Sequence, residues 1–441
     1  MARDTRPVEQ LTVFDGIVLI CGMVIGAGIF KAPSIVAANT STPTQFVFAW
    51  VLGGVVSLCG ALVYAELAAR YPETGGEYAF LSRGWGRGVA FVFAWARMTV
   101  IQTGAIAAVS FVFGDYASEI FRLGEKSSAI YAALGVAGLT ALNIAGTLQS
   151  KLLQRAMQVA LFGGLLFIAL AGLFAGSPPP ASAAASGSSF GLAMIFVLLT
   201  YGGWNEAAYL AGEVRDARRN MTRVLVGGIL TVTVLYLLVN LGYLAALGMD
   251  GMRSSKAVAA DVVRTFGGDK VAVLLALIVC LAALTTMNAA IFTGARTSYA
   301  FGRDFALFAR LGAWREAGST PANALLLQGA ITLVLVGAGS LTPDGFSAMV
   351  AYTAPVFWTF FYLSGTTLFL FRERTLERPA FRTPLYPHIP IAFTVMCAYM
   401  LYSSVDYIRN PQFGPSFGAA VFAGLIVMAA GVPLYFMLRS R

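Results

Sequence analysis

V-I-G-A-G-I-F (Val24 to Phe30) and T-Y-G-G-W-N (Thr200 to Asn205) each place glycines inside a long apolar run. Gly26 and Gly202 are 176 residues apart, and Gly28 and Gly203 are 175 apart. Five membrane helices with their connections, at roughly 35 residues each, fill about that length. The first stretch falls in the first apolar span and the second in the sixth, so the two run in opposite directions. Equivalent interrupted helices of opposite direction are the signature of an inverted five-helix repeat. The expected fold is therefore an all-α polytopic membrane protein with a 5+5 inverted repeat and broken helices 1 and 6.

Composition supports this frame. Of 441 residues, 58% are hydrophobic and 12% charged, where a soluble domain carries roughly 25% charged residues. Twelve apolar spans are expected near 13–38, 44–69, 88–114, 128–146, 153–175, 190–212, 224–248, 271–299, 322–341, 345–371, 389–408 and 415–438. They are too long and too uniformly apolar for barrel strands. The repeats divide the chain into 1–180 (helices 1–5), 181–375 (helices 6–10) and 376–441 (helices 11 and 12). The net charge of +9 resides in short loops, so it carries topology information and is no footprint for nucleic acid. With twelve spans, 21 Lys and Arg fall on the side of the termini and 7 on the other. This bias places both termini in the cytoplasm of a cell membrane. The two N-terminal arginines are followed by no prompt small-residue cleavage site, so a cleaved leader is not expected. Cys21, Cys59, Cys280 and Cys397 all lie within apolar runs and are not placed for an extracellular disulfide.

The breaks carry the chemistry. Interrupted backbone at membrane depth is tolerated only where protein or a water-filled cavity satisfies it. Free N–H groups and a positive dipole end at Ile25, Gly26, Ala27, Gly28 and Ile29 suit a carboxylate. Free carbonyls at Leu199, Thr200 and Tyr201, next to Gly202 and Gly203, suit an ammonium group. Together they describe a receptor for an α-amino acid, with glycines allowing close backbone approach.

V-I-G-A-G-I-F-K-A-P (24–33) resembles the first-helix motif of the amino acid–polyamine–organocation superfamily. Further matches are A-E-L-A-A-R-Y-P-E-T-G-G-E-Y (65–78), Y-G-G-W-N (201–205) with G-E-V-R-D-A-R-R-N (212–220), N-A-A-I-F-T-G-A-R (288–296) and L-E-R-P-A-F-R (376–382). They occur in order from helix 1 to the loop after helix 10, and they are most similar to the L-type amino acid transporter branch and its bacterial relatives. The resemblance implies 12 transmembrane helices, a ten-helix inverted-repeat core plus two peripheral helices, and amino acid transport by alternating access, with no cofactor. Three departures stand out. Ala27 replaces the serine of the branch's G-S-G, Leu199 replaces a bulky gating aromatic, and residues 116–127 lack the cysteine that links animal members to an accessory glycoprotein. A disulfide-linked accessory subunit is therefore not expected.

Other residues admit two readings. Glu206, just after the glycine pair, tunes substrate charge or proton coupling, or is a structural ion-pair partner. Trp204 and Trp358 wall the pocket or merely pack. Arg97, deep in span 3, needs a partner, for which Glu66 is a candidate; Lys31 is expected to snorkel outward. His388 reads as a surface residue, and 249–270 as a lid helix or an ordinary capping loop. At the position where many relatives carry a helix-5 lysine, this chain has Leu161. Helix 8 gains Thr285 and Thr286 near Ala282, a candidate sodium site, with proton coupling or exchange as the alternatives and hydroxyls bonded to their own helix as the bland reading. The competing functions are a polyamine or organic-cation transporter or antiporter, and a channel. No P-loop, H-E-x-x-H or Cys/His cluster points to an enzyme.

Overall fold

Backbone groups in hydrocarbon must be satisfied within the segment that carries them, and this chain meets that demand almost entirely with helices. The computed structural model describes residues 12–71, 76–146, 151–174, 189–207, 214–315, 320–374, 379, 381–409 and 415–439. Among these the helices are α1 (Val13–Val24), α2 (Ala32–Ala38), α3 (Pro43–Arg70), α4 (Glu77–Trp85), α5 (Arg87–Ala96), α6 (Gln102–Ile120), α7 (Ser127–Ala145) and α8 (Lys151–Phe174). They continue as α9 (Phe190–Thr200), α10 (Trp204–Ala207), α11 (Ala217–Ser254), α12 (Val258–Asp304), α13 (Ala322–Gly339), α14 (Gly345–Arg374), α15 (His388–Arg409) and α16 (Pro415–Arg439). Arg315 and Thr320 form an isolated antiparallel bridge.

Nine helical segments among the described residues are long and apolar enough to cross a membrane. Three further apolar helices are shorter: Val13–Val24, Val159–Phe174 and Phe190–Thr200. The first and third of these are the halves of interrupted helices, so their shortness is the break itself. We call the end of the bundle where α1 starts the near end, and the opposite end the far end.

Helix starts follow local chemistry. Thr12 and Asp15 form a reciprocal capping box on α1, and Thr42 caps α3 with Pro43 in its first turn. The α5 and α6 segments form one run joined by a π-helical turn at Arg97–Ile101. The interrupted helices lie at the centre: α1 packs on α10 and α11, α2 on α9 and α11, and α3 on both α9 and α10. By contrast, α15 and α16 bury only 28% and 17% of their membrane windows, against 61% for α3. They lie on the outside of the bundle, as does α7, which also buries 17% of its window. The segment after Val258 is helical up to Gly268, whose φ of 66° turns the chain into its span. It buries Val258, Val262 and Val263 and exposes Phe266. His388 is exposed at the start of α15, and the four cysteines are free.

Candidate functional site

Both sequence breaks are breaks in the structure. After α1 the chain is extended at Ile25 and Gly26, makes a 3-10 turn over Ala27–Phe30, and resumes as α2. No side chain caps the 3-10 turn, so its first N–H groups depend on other partners. After α9, Gly203 takes φ 105° and α10 begins. A Cβ at Gly203 would lie 2.4 Å from the Met23 carbonyl oxygen. That contact and the positive φ together require glycine, and they set the two breaks backbone against backbone.

Tyr236 of α11 holds the junction. Its buried hydroxyl lies 3.2 Å from the Val24 carbonyl and 3.1 Å from the Thr200 carbonyl, the last carbonyls of α1 and α9. One hydroxyl proton is shared between the two ends. No sequence motif singled out Tyr236; its aromatic position in an apolar span looks like any core residue.

A cavity of about 470 Å³ lies on the near side of the breaks. Of the expected site residues, Ile25, Gly26, Leu199, Gly202 and Gly203 line it, with Ala282, Thr285 and Thr286 of helix 8 opposite. Leu161 lines it too, so an apolar side chain faces the cavity from helix 5. A Cβ at Gly26 would find only Thr286, at 3.9 Å. Gly28 behaves differently: its missing side chain is aimed at Thr200, whose Cα would be 3.3 Å away. Gly28 therefore serves the packing of the two interrupted helices. Ala27, Ile29, Thr200 and Tyr201 are buried behind the cavity and do not line it. The carbonyls expected to be free are partly engaged, since that of Leu199 accepts the Gly202 N–H at 3.0 Å and that of Thr200 accepts from Tyr236.

Neither tryptophan lines the cavity. Trp204 packs against Tyr64, Phe361 and Phe393, and Trp358 against Phe357 and Phe361. Phe357, Phe360 and Phe361 supply the aromatic wall instead. The backbone of Glu206 lies in α10, while its side chain falls outside the described residues. Thr285 and Thr286 donate to the carbonyls of Leu281 and Ala282 at 2.9 and 3.0 Å, so both protons stay within their own helix.

Two expectations about charged residues are corrected. Arg97 does not meet Glu66; its Nη1 lies 3.1 Å from Glu77, in the segment that leads back from helix 2. Glu66 is fully buried and accepts from Arg70, from Arg372 by Nε and Nη2, and from the Thr383 backbone N–H. This cluster joins the neighbourhoods of two sequence motifs, 65–78 and 376–382. Lys31 does not snorkel. It is buried, 2.7 Å from Asp115 and 3.4 Å from Asp344, and it donates to the Lys256 carbonyl at 3.3 Å. Helix 3 brings in Asp115, a partner 84 residues away that spacing along helix 1 cannot reveal.

Comparison with known proteins decides the family, because the amino acid permease family matches residues 11–430. This chain belongs to that family. The permease is 26% identical to the serine/threonine exchanger SteT of Bacillus subtilis, over 98% of this chain and 97% of that protein. It is 28% identical to the b(0,+)-type amino acid transporter 1 of Mus musculus, over 90% of this chain and 82% of that one. The cystine/glutamate transporter of Homo sapiens is 26% identical, over 97% and 85% respectively. The permease is thus a membrane transporter of the L-type branch and its bacterial relatives, and not an enzyme.

Proposed function

We propose that this permease carries α-amino acids across the cell membrane by alternating access. The observation that carries the reading is the near-side cavity, whose wall contains the backbone of both breaks at Gly26, Gly202 and Gly203. The substrate carboxylate takes the uncapped N–H groups after Gly26, and its ammonium takes the second lone pairs of the carbonyls around Leu199. The aromatic and aliphatic wall receives the side chain.

The near end is cytoplasmic on this reading, with both termini there, and 1–180 and 181–375 form the two inverted halves. The far end is closed in this conformation and the near-side cavity is loaded or emptied. A relative named as a serine/threonine exchanger and the Leu161 side chain, which supplies no charge, favour exchange of small neutral amino acids over ion-driven uptake. No accessory subunit is covalently attached, since residues 116–127 contain no cysteine.

The test is uptake of a panel of labelled amino acids by purified protein in liposomes, with and without an internal amino acid. Saturable uptake that internal serine accelerates supports the reading. Currents proportional to voltage, or no uptake of any amino acid by a monodisperse preparation, would defeat it.

A further inference from the structure

Arg97 and Glu77 lie in the wall of the same cavity, away from the breaks. Arg97 precedes Ala105, which also lines the cavity, by eight residues, or about 12 Å along a helix. Arg97 also starts the π-helical turn of helix 3, a local distortion that often marks a functional position.

The pair is not built like a structural clasp, and the chain supplies its own standard. Arg372 at the near end gives both Nε and Nη2 to the carboxylate of Glu66, at 2.9 and 2.5 Å, and Nη2 also lies 3.4 Å from the Thr383 carbonyl. Arg97 gives Glu77 a single contact through Nη1. Its Nε is buried with no acceptor. Glu77 is independently anchored by the Tyr64 hydroxyl at 2.9 Å. The side chain of Arg97 is 26% exposed and that of Glu77 only 6%, so the arginine is the member that the cavity reaches. The Nε/Nη2 edge of a guanidinium is the fork that matches a carboxylate with two parallel bonds. Here that edge is the one not spent on Glu77; its Nε has no acceptor and no exposed surface in this conformation, so a carboxylate takes the fork as the Arg97 side chain turns toward the cavity.

We propose that Arg97, held by Glu77, is a second carboxylate station near the mouth of the cavity, where amino acids pause between the breaks and the near-side water. This rests on the transport reading above. Glu77 offsets the charge of Arg97, so the station takes up a zwitterion weakly enough to release it.

The experiment measures KM from each face in liposomes that carry the full chain in one orientation, with labelled serine as probe. Arg97→Lys keeps a cation beside Glu77 but loses the fork. It should raise the ratio of near-face to far-face KM by about tenfold, the scale of one bidentate contact. The double variant Arg97→Met/Glu77→Gln leaves no lone charge, so a simple folding defect is avoided, and it should show the same raised ratio. Thermal stability of each purified variant accompanies the kinetics. Equal shifts on both faces, no shift, or a wild-type ratio in the double variant would overturn the station and make the pair a clasp. Absence of wild-type uptake from either face sinks the transport reading together with this one, whereas normal wild-type uptake with an unchanged ratio sinks the station alone.

Discussion

The two ends of this permease each hold a cation beside carboxylate, and they use it oppositely. At the far end, Lys31 is almost fully buried among Asp115, Asp344 and the Lys256 carbonyl. Asp115 is held in turn by Ser128 at 2.6 Å. Nearby, Tyr116 donates to the Phe30 carbonyl, and Arg253 donates to the carbonyls of Ala37 and Thr40. These bonds tie the outer half of helix 1 to helix 3, to the segment after α11 and to the start of α14. A second cavity, of about 350 Å³, borders Lys31 and Arg253 at this end. At the near end, Arg97 has one carboxylate contact and faces open space. On the transport reading, the caged Lys31 helps to hold the far end together, whereas Arg97, lining the near-side cavity, is left able to meet a ligand.

The sharpest break in this comparison is Lys31→Met. It leaves Asp115 buried without its cation, and loss of one partner of a buried pair costs about 3–5 kcal/mol. The expected result is a clearly lowered melting temperature and far-end residues such as Ser34 becoming accessible, read by labelling of Ser34→Cys. Lys31→Met/Asp115→Asn should recover most of the stability without resealing the end. A melting temperature equal to wild type in the single variant would show that the far-end network does not hold that end closed.

Next in size is the seam between the ends. Gly28→Val places a branched side chain against the Thr200 backbone and drives helices 1 and 6 apart, so transport should be lost. Gly26→Ala, with only Thr286 nearby, should fold normally and act on KM. Identical behaviour of the two variants would refute the distinction between a packing glycine and a cavity glycine.

A smaller effect is expected for Tyr236→Phe. Two helix-end carbonyls lose a buried hydroxyl, at about 1–3 kcal/mol for the unmet hydrogen bonding. Turnover should fall more than affinity, because the tyrosine joins the two breaks without lining the cavity. A rise in KM with unchanged turnover would place Tyr236 in the binding wall instead.

The smallest effect concerns Thr285 and Thr286. Both hydroxyls donate to their own helix, as packing threonines do, and on the exchange reading uptake in sodium and in choline medium should agree at fixed pH and membrane potential, with Thr286→Ala leaving that unchanged. Uptake greater in sodium and lost in Thr286→Ala would restore the sodium site.

Much of this site was legible from residues alone, and the reason is local. Glycines at 26, 202 and 203 sit in apolar runs where nothing else explains them, and a break needs only local backbone freedom. The apolar wall was less legible. Trp204 and Trp358 look like pocket aromatics by position, yet helix rotation turns both into the core and brings Phe357, Phe360 and Phe361 to the cavity. Pairings of buried charge were the least legible. Arg97 pairs with Glu77, while Glu66 is taken by Arg70, Arg372 and the Thr383 N–H.

The sequence by itself determined the helical class, the places where helices 1 and 6 break, and the family. Those features rest on hydrophobic period, on glycine and on motif order, all of which act over a few residues or one helix. Only the tertiary structure decided that Gly28 packs while Gly26 faces the cavity, that Tyr236 joins the two breaks, and that Lys31 is caged while Arg97 is not. Those choices depend on which helix faces which, and the partners lie tens to hundreds of residues apart. A buried charge takes whatever partner the packed helices bring to it, and that partner cannot be read from the charge's own neighbours in the chain.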